Sequence, residues 1–298
     1  MNIFRDLAVA GCAIAIAACA AAPLPNAPAF TDPVEIDPDF PPALIELNFD
    51  SHGDRLNGLA YLADGEGPHP TVVLLHGYPG NEKNLDLAQD MRSAGFNVLF
   101  FHYRGAWGSE GDYSLTHVIE DVGAATDYLR ANAETYRADP GKLILIGHSM
   151  GGFAALQAAA RDDRITCTAG IAPANVGAIA DAFEANPDAA KGFAAYTDGL
   201  QMLAGWDGET AIAEIMANRE AFDTRLLAPR LSGKSVLLIA ADKDAAVPPD
   251  ALHVPLVDAY SAEPGINLTA EILSGDHSFS WSRIALSDTV LDWIDDCR

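Results

Sequence analysis

Ser149 lies in a sequence that could expose its hydroxyl group as a nucleophile. Glycines stand on both sides of it in GHSMG, residues 147–151. Because glycine has no Cβ atom, the turn can close tightly and a following helix can approach the neighbouring strands. A serine hydroxyl is a poor nucleophile at neutral pH and needs a histidine base and a carboxylate that orients the base. Taken alone, the pattern also fits an ordinary Gly-Ser turn with an N-cap serine.

The residues around this turn predict the elements that would hold it. The uninterrupted apolar run 143–146 is typical of a central strand of a parallel sheet that is covered on both faces. Residues 151–160 are rich in alanine and predict a helix. The order strand, G-x-S-x-G, helix resembles the nucleophile elbow of the α/β-hydrolase family.

The rest of the chain alternates predicted strands with helical segments, which favours an α/β fold with a mostly parallel, doubly wound sheet. The predicted strands are 44–49, 56–62, 71–75, 97–101, 143–146, 166–172, 235–241 and 266–273. Between the sixth and seventh strands lies an alanine-rich, helical insertion at about 176–233, too long for a simple connection. The resemblance implies a helical cap over the active site. The alternative is a helical excursion away from it.

The family resemblance also supplies candidates for the base and the acid. In α/β-hydrolases the serine is followed along the chain by the acid and then by the histidine. Of the eight histidines only His253 and His277 follow Ser149, and His277 lies in a loop after the last predicted strand. His253 lies within a predicted helix, so His277 is the expected base.

Asp244 falls where the family places its acid, after the strand 235–241 and before Val-Pro. Three further aspartates remain as alternatives. They are Asp242, which directly follows the strand, and the more distant choices Asp250 and Asp276.

The tetrahedral intermediate of such a reaction needs hydrogen-bond donors for its oxyanion. The resemblance implies the backbone N–H of Met150 as one donor and the loop HGYPG, residues 76–80, as the source of the other. Pro79 has no N–H, so Tyr78 is the expected donor and Gly80 the fallback. His76 is expected to support this loop, and His148 to be structural or to line the pocket.

Together, HGYPGN, YRGAWGSEG (residues 103–111) and the elements above are similar to the α/β-hydrolase branch of esterases and prolyl-oligopeptidase-like domains, over about 44–293. The resemblance implies a serine hydrolase that cleaves a small-molecule carboxylic ester through an acyl-enzyme. A prolyl-oligopeptidase-like peptidase is the alternative, and a non-catalytic binding lipoprotein is a third hypothesis. No cofactor is expected, and the scattered histidines show no metal-ligand spacing.

The composition restricts the partners. The formal net charge is −24, with 42 acidic and 18 basic residues and a pI of about 4.4. Such a surface repels phosphate backbones, so nucleic acid is not expected to bind. The oligomeric state is left open.

The first residues predict export. Residues 1–22 resemble a signal peptide, and the run before Cys19 resembles a bacterial lipobox, so that a lipidated Cys19 would anchor the protein to a membrane. Cleavage within 20–22 is the alternative. The expected location is the bacterial periplasm, or a membrane surface as a lipoprotein, or otherwise the secreted fraction. Residues 23–43, rich in proline and alanine, predict a tether before a catalytic domain at 44–298.

Only Cys167 and Cys297 remain after such processing. They could pair in an oxidising compartment, but Cys167 lies in a predicted buried strand, where a free thiol is the expected state.

Overall fold

The computed structural model describes residues 35–298 and contains one eight-stranded sheet. No helix within these residues is long and apolar enough to cross a membrane. The predicted signal peptide and most of the predicted tether lie outside the described residues. The strands are β1 (Ala43–Ser51), β2 (Asp54–Leu62), β3 (His69–Leu75), β4 (Asn97–Phe101), β5 (Ala138–His148), β6 (Cys167–Ile171), β7 (Ser235–Ala241) and β8 (Asn267–Leu273).

The strand order across the sheet is β1-β2-β4-β3-β5-β6-β7-β8. The hairpin β1–β2 and the pair β2–β4 are antiparallel, and every other neighbouring pair is parallel. The predicted fold class, an α/β fold with a mostly parallel sheet, is confirmed. Parallel strands must be joined by a crossover connection that passes over one face of the sheet, and the helices form these connections.

Both faces of the sheet are covered, because alternate residues of the central strands enter two separate cores. Val72 and Leu74 pack with α1 (Leu85–Ser93) and α8 (Arg283–Ile294) on one face. Val73 and Leu75 belong to the core on the other face, which includes residues of α2 (Leu115–Ala131), α3 (Met150–Ala159) and α7 (Val254–Ser261). This explains the continuous apolar runs in the sequence, since neither face of these strands meets water.

Three helices form the insertion between β6 and β7. They are α4 (Val176–Ala185), α5 (Pro187–Asp198) and α6 (Gly208–Ala217), followed by a 3₁₀ helix at Thr224–Arg230. Each begins where a side-chain oxygen accepts a backbone N–H bond, at Asn175, Asn186 and Asp207 respectively. Such caps satisfy donors that the first helical turn leaves free. We refer to residues 176–233 as the helical insertion.

A buried ion pair fixes the glycine-rich loop that follows β4. The Arg104 Nε atom lies 2.6 Å from Asp121 Oδ1, and Asp121 also accepts the Ser51 hydroxyl at 2.6 Å. Both charged side chains are almost fully buried. Arg104, which the sequence places in a loop similar to that of peptidases, therefore has a structural role here.

The chain joins the sheet at the edge where the parallel strands begin. Arg137 lies just before β5, and its guanidinium group donates hydrogen bonds to the carbonyl oxygens of Phe40, Pro41, Ala63 and Gly65 at 2.8–3.2 Å. Residues 40 and 41 fall within the predicted tether, yet they are held against the body because one side chain binds both carbonyls.

Cys167 and Cys297 form a disulfide, with 6.2 Å between their Cα atoms. The expected free thiol at Cys167 is therefore wrong. Cys167 is buried at the start of β6, as expected from its apolar neighbours, but a short 3₁₀ turn after α8 (Asp295–Cys297) brings the second sulfur to it. Burial of one cysteine does not decide its pairing when the partner lies 130 residues away.

We expect the disulfide to contribute about 2–4 kcal/mol to the free energy of unfolding, because it closes a long loop in the unfolded chain. Cys297→Ser should lower the urea midpoint by a corresponding amount. A reductant should lower the midpoint of the wild type and leave Cys297→Ser unchanged. An equal effect of the reductant on both proteins would contradict the role of the disulfide.

Candidate active site

Ser149 occupies a strained turn between β5 and α3. Its φ and ψ angles are 57° and −120°, a conformation that residues with a side chain rarely adopt. A Cβ atom on Gly147 would lie 2.0 Å from the Gly151 carbonyl oxygen, and one on Gly151 would lie 2.2 Å from the Leu75 carbonyl oxygen. The turn therefore requires glycine at both positions.

His277 and Asp244 are hydrogen-bonded to each other, His277 Nδ1 lying 2.6 Å from Asp244 Oδ2. Asp244 follows β7 and its side chain is buried, while about a quarter of the His277 side chain is exposed. The second carboxylate oxygen accepts the backbone N–H groups of Ala246 and Val247, each at 2.8 Å. The backbone therefore holds Oδ1 of Asp244, and Oδ2 is left to bind His277.

The three alternative aspartates make other contacts. Asp242 accepts the Gly275 N–H at 3.0 Å, and this bond and Lys243 lower the pKa of the Asp242 carboxyl. Asp276 accepts both the N–H and the hydroxyl of Ser280, and Asp250 is exposed. Among residues 35–298, Asp244 is the carboxylate that bonds His277.

The loop after β3 runs directly against the turn at Ser149. A Cβ atom on Gly77 would lie 3.0 Å from the Ser149 Cβ atom. The Gly77 carbonyl oxygen is bound by His76 Nδ1 at 2.8 Å. Because C=O and N–H point in opposite directions in a trans peptide, this bond turns the Tyr78 N–H away from His76. Within residues 35–298, neither the Tyr78 N–H nor the Met150 N–H donates to a protein acceptor.

A second histidine, His102, supports this loop through His76. Its Nδ1 atom lies 3.2 Å from His76 Nε2. Since His76 Nδ1 carries the proton that binds Gly77, Nε2 accepts and His102 donates. Burial, followed by the His102 charge, lowers the pKa of His76 to about 3, and burial and Lys83 lower the pKa of His102 to about 4. Both rings are neutral near pH 7.

Trp107, in the glycine-rich loop, holds the far end of the same segment. Its Nε1–H donates to the Pro79 carbonyl oxygen at 2.7 Å, and its ring lies beneath the Lys83 ammonium group at 4.4 Å. Neither His102 nor Trp107 was assigned a role in the sequence analysis. The positions of His76 and His102 relative to their strands could have indicated this contact. Leu74 of β3 pairs with Phe100 of the parallel strand β4, and His76 and His102 each follow two residues later, so they leave the sheet side by side.

His148 fixes the loop that carries His277. Its Nε2–H donates to the His277 carbonyl oxygen at 2.8 Å, and the two ring centroids are 4.7 Å apart. Burial and then the His277 charge lower the pKa of His148 to about 4. The neutral ring therefore acts as a hydrogen-bond donor to the backbone, which agrees with the structural role expected for it.

The helical insertion contacts the loop after β3 through the side chain of Tyr78. The Tyr78 hydroxyl lies 2.9 Å from Thr197 Oγ1 and accepts Trp206 Nε1–H at 3.1 Å. The Met202 carbonyl oxygen also accepts the Trp107 N–H at 3.0 Å. The insertion thus packs beside the residues around Ser149 and does not project away from them.

The described residues contain no group of three or more histidine, cysteine, aspartate or glutamate side chains placed to hold a metal ion. The histidines near Ser149 instead form hydrogen bonds with Asp244, with each other or with backbone carbonyl oxygens.

An eight-stranded, mostly parallel sheet with a serine on the turn from β5 to a helix is the arrangement of an α/β-hydrolase. The model of the alpha/beta hydrolase family matches residues 72–286. The chain belongs to this family of hydrolases.

Curated relatives match shorter stretches. The chain is 29% identical over 131 residues to the quorum-quenching protein AidA of Acinetobacter baumannii and 31% identical over 117 residues to the uncharacterized protein YfhR of Escherichia coli. These matches cover 42% and 38% of this chain, and 42% and 40% of the two relatives. The chain therefore matches less than half the length of these relatives.

Solved structures share the fold over a longer range. Est1E of Butyrivibrio proteoclasticus, solved with ferulic acid, superposes with a TM-score of 0.62 at 20% identity, covering 84% of this chain and 98% of Est1E. The Pyrococcus furiosus esterase Pf2001 gives a TM-score of 0.61 at 17% identity, covering 87% of this chain and 93% of Pf2001. At these identities the likeness concerns the fold.

The three neutral histidines predict a loss of stability in acid. Their folded pKa values of about 3 for His76 and about 4 for His102 and His148 lie below the value of 6.5 for an exposed histidine. Between these values the unfolded chain binds more protons, so the free energy of unfolding decreases as the pH falls. Their contribution is complete above pH 6.5 and is lost progressively toward about pH 4.

Urea unfolding from about pH 7 down to about pH 4 measures this dependence. His102→Asn removes one of the three titrating groups, and its stability should decline less steeply with falling pH than that of the wild type, by up to about 1.4 kcal/mol per pH unit. Identical slopes for the two proteins would contradict the assignment of His102 as a partly buried neutral base.

Proposed function

We propose that the protein is a serine hydrolase that cleaves carboxylic esters of small molecules through an acyl-enzyme. The observation that carries the proposal is the arrangement at the ends of four strands: the strained turn of Ser149 with the loop at Gly77 against it, and the His277–Asp244 pair at 2.6 Å, whose His277 carbonyl oxygen is bound by His148, the residue next to Ser149. Membership of a hydrolase family supports the same reaction class.

The proposed reaction begins with proton transfer from Ser149 to His277. Because His277 Nδ1–H donates to Asp244, the Nε2 atom is the free acceptor, and the carboxylate stabilises the imidazolium that forms. The serine oxygen attacks the ester carbonyl carbon, and the oxyanion is bound by the N–H groups of Tyr78 and Met150. The protonated His277 gives its proton to the leaving alcohol, and water then releases the acid from the serine.

The backbone N–H groups of Tyr78 and Met150 are assigned as the oxyanion donors because neither is used in a hydrogen bond within the described residues. Met150 follows Ser149 directly, and Tyr78 follows Gly77, which lies against Ser149. The Tyr78 N–H is also held in a fixed direction, since its peptide group is bound at the Gly77 oxygen. Donors that are fixed before the reaction lower the cost of stabilising the developing charge.

Ester hydrolysis is favoured over peptide hydrolysis by the organisation of the described residues. They form one sheet with a helical insertion and no propeller. The acylaminoacyl peptidase of Pyrococcus horikoshii is similar over 85% of this chain but over 41% of its own, at 16% identity. The peptidase alternative therefore has no further support here. A non-catalytic role does not explain why the serine is held in a strained turn beside a paired histidine.

The acyl pocket is proposed to lie between the helical insertion and Tyr78. The Tyr78 and Phe193 rings are stacked with centroids 5.8 Å apart, and Tyr196, half exposed, meets Tyr78 at 6.2 Å. Phe183, Leu203 and Trp206 are buried and form the core of the insertion. Partly exposed aromatic rings that contact Tyr78, in the loop against Ser149, favour apolar or aromatic acyl groups.

Hydrolysis of a series of short- and medium-chain p-nitrophenyl esters by the purified protein tests the proposal. Wild-type activity is expected, and Ser149→Ala should lower kcat by about three to six orders of magnitude, because it removes the nucleophile. A fluorophosphonate probe should label the wild type at Ser149. Absence of both activity and labelling would exclude a serine hydrolase and leave the binding hypothesis.

Asp244 and Asp242 provide a matched pair of variants for the same assay. Asp244→Asn should lower kcat by about three to four orders of magnitude, because His277 loses the group that orients it. Asp242→Asn, two residues away, should leave kcat within about threefold of the wild type, because its carboxylate bonds Gly275 instead. Equal losses in the two variants would refute the assignment of the acid.

We also propose that the protein is exported and lipidated at Cys19, the lipidation resting on the sequence alone. The Cys167–Cys297 disulfide supports an oxidising compartment, since such bonds are rare in a reducing cytosol. In cells, the wild type should partition into the detergent phase and Cys19→Ser into the aqueous phase. Partition of both proteins into the detergent phase would contradict lipidation at this residue.

A further inference from the structure

An open cavity of about 520 Å³ lies between the end of α3 and the helical insertion. This volume falls within the range of small-molecule sites. The polar side chains that line it are Gln157, Arg161, Asn218, Glu220, Asp223 and Arg230. Ser149 precedes α3 and Arg161 follows it, so about 15 Å of helix separates this cavity from the candidate active site.

Two arginines of this cavity differ from the others in the structure. The side chains of ten of the twelve arginines in residues 35–298 donate hydrogen bonds to protein groups or form ion pairs with them. The two exceptions, Arg161 and Arg230, line the same cavity. The chain has 42 acidic residues, yet these two arginines of one cavity form no ion pair. We infer that their guanidinium groups are available to bind an anionic ligand.

The charged side chains of the lining leave a positive excess in the cavity. Asp223 is neutralised by Arg225, whose Nη2 atom lies 2.6 Å away, and it also accepts Asn175 Nδ2 at 2.8 Å. Glu220 is the remaining carboxylate of the lining, and it forms no ion pair with either arginine. Burial, and then the charge of Arg230, lower the pKa of Arg161, while Glu120 acts in the opposite direction, so the two arginines of the lining lie within electrostatic reach of each other. A bound anion would relieve this repulsion.

We propose that this cavity binds the phosphate group of a small organic phosphomonoester. Each guanidinium group presents a planar fork of N–H donors that can bind two phosphate oxygens, and two forks suit a dianion. The cavity is larger than a phosphate group alone, and its apolar lining, which includes Leu226 and Leu227, can receive the organic part.

The wall between the two arginines is held in place by the protein. Gln157 is 1% exposed, and its Nε2 atom donates to the Ala221 carbonyl oxygen at 2.8 Å. Arg161 belongs to the body, whereas Arg230 ends the 3₁₀ helix that follows the insertion helices. A ligand bound by both arginines would therefore bridge the body and the helical insertion.

Titration calorimetry at constant ionic strength tests the proposal with two probes, phenyl phosphate and inorganic phosphate. The wild type should bind phenyl phosphate saturably and more tightly than inorganic phosphate. Arg161→Gln and Arg230→Gln should each weaken binding by about tenfold, since each loses a charged donor. Glu220→Gln should tighten binding several-fold, because it removes the one unneutralised carboxylate of the lining.

Two controls separate this proposal from others. Arg55→Gln, which breaks an exposed ion pair with Glu110, should leave phenyl phosphate binding unchanged. Ser149→Ala should also bind normally, so the result does not depend on the proposed ester hydrolysis. No saturable binding, or binding that survives both Arg161→Gln and Arg230→Gln, would overturn the site. Equal affinities for the two probes would overturn the organic ligand in favour of free phosphate.

Discussion

The backbone contact between the turn at Ser149 and the loop after β3 determines how the rest of the site can be arranged. Gly77 and Gly151 lie where any Cβ atom would press against the neighbouring segment or overlap it. The strained φ of Ser149 costs on the order of 1–3 kcal/mol, which the buried packing of β5 and α3 must offset. The paired side chains Asp244 and His277 are supplied by the loops after β7 and β8.

Proton positions around the site follow from the burial of its histidines. His76, His102 and His148 stay neutral, so each ring offers one donor and one acceptor. The donors bind another ring or a backbone carbonyl oxygen, and so they fix the loops at Gly77 and at His277. The chain carries a net charge of −24, yet it uses uncharged rings to hold these loops.

Local sequence patterns predicted features formed by residues close together along the chain, and they did not predict contacts between distant segments. The turn at Ser149 and the strands around it are local patterns, and the apolar runs fixed the fold class. The family resemblance favoured Asp244 over Asp242, and the two carboxylates differ in the structure because of the loop after β7, where the N–H groups of Ala246 and Val247 bind one oxygen of Asp244. The Cys167–Cys297 disulfide and the bond from His102 to His76 join distant segments, which no local pattern reports.

The bonds of Arg137 have a geometric consequence for a protein attached by its N-terminus. They hold the incoming chain at the first residues of β3 and β5, whereas Ser149 follows the last residue of β5. The two points lie at opposite ends of one strand, about 25 Å apart, because an irregularity near the start of β5 shortens it relative to its number of residues. On a solid support, or on any surface that holds residue 40 close, Ser149 would face outward into the bulk solution. Molecules dissolved there would reach it without passing the surface.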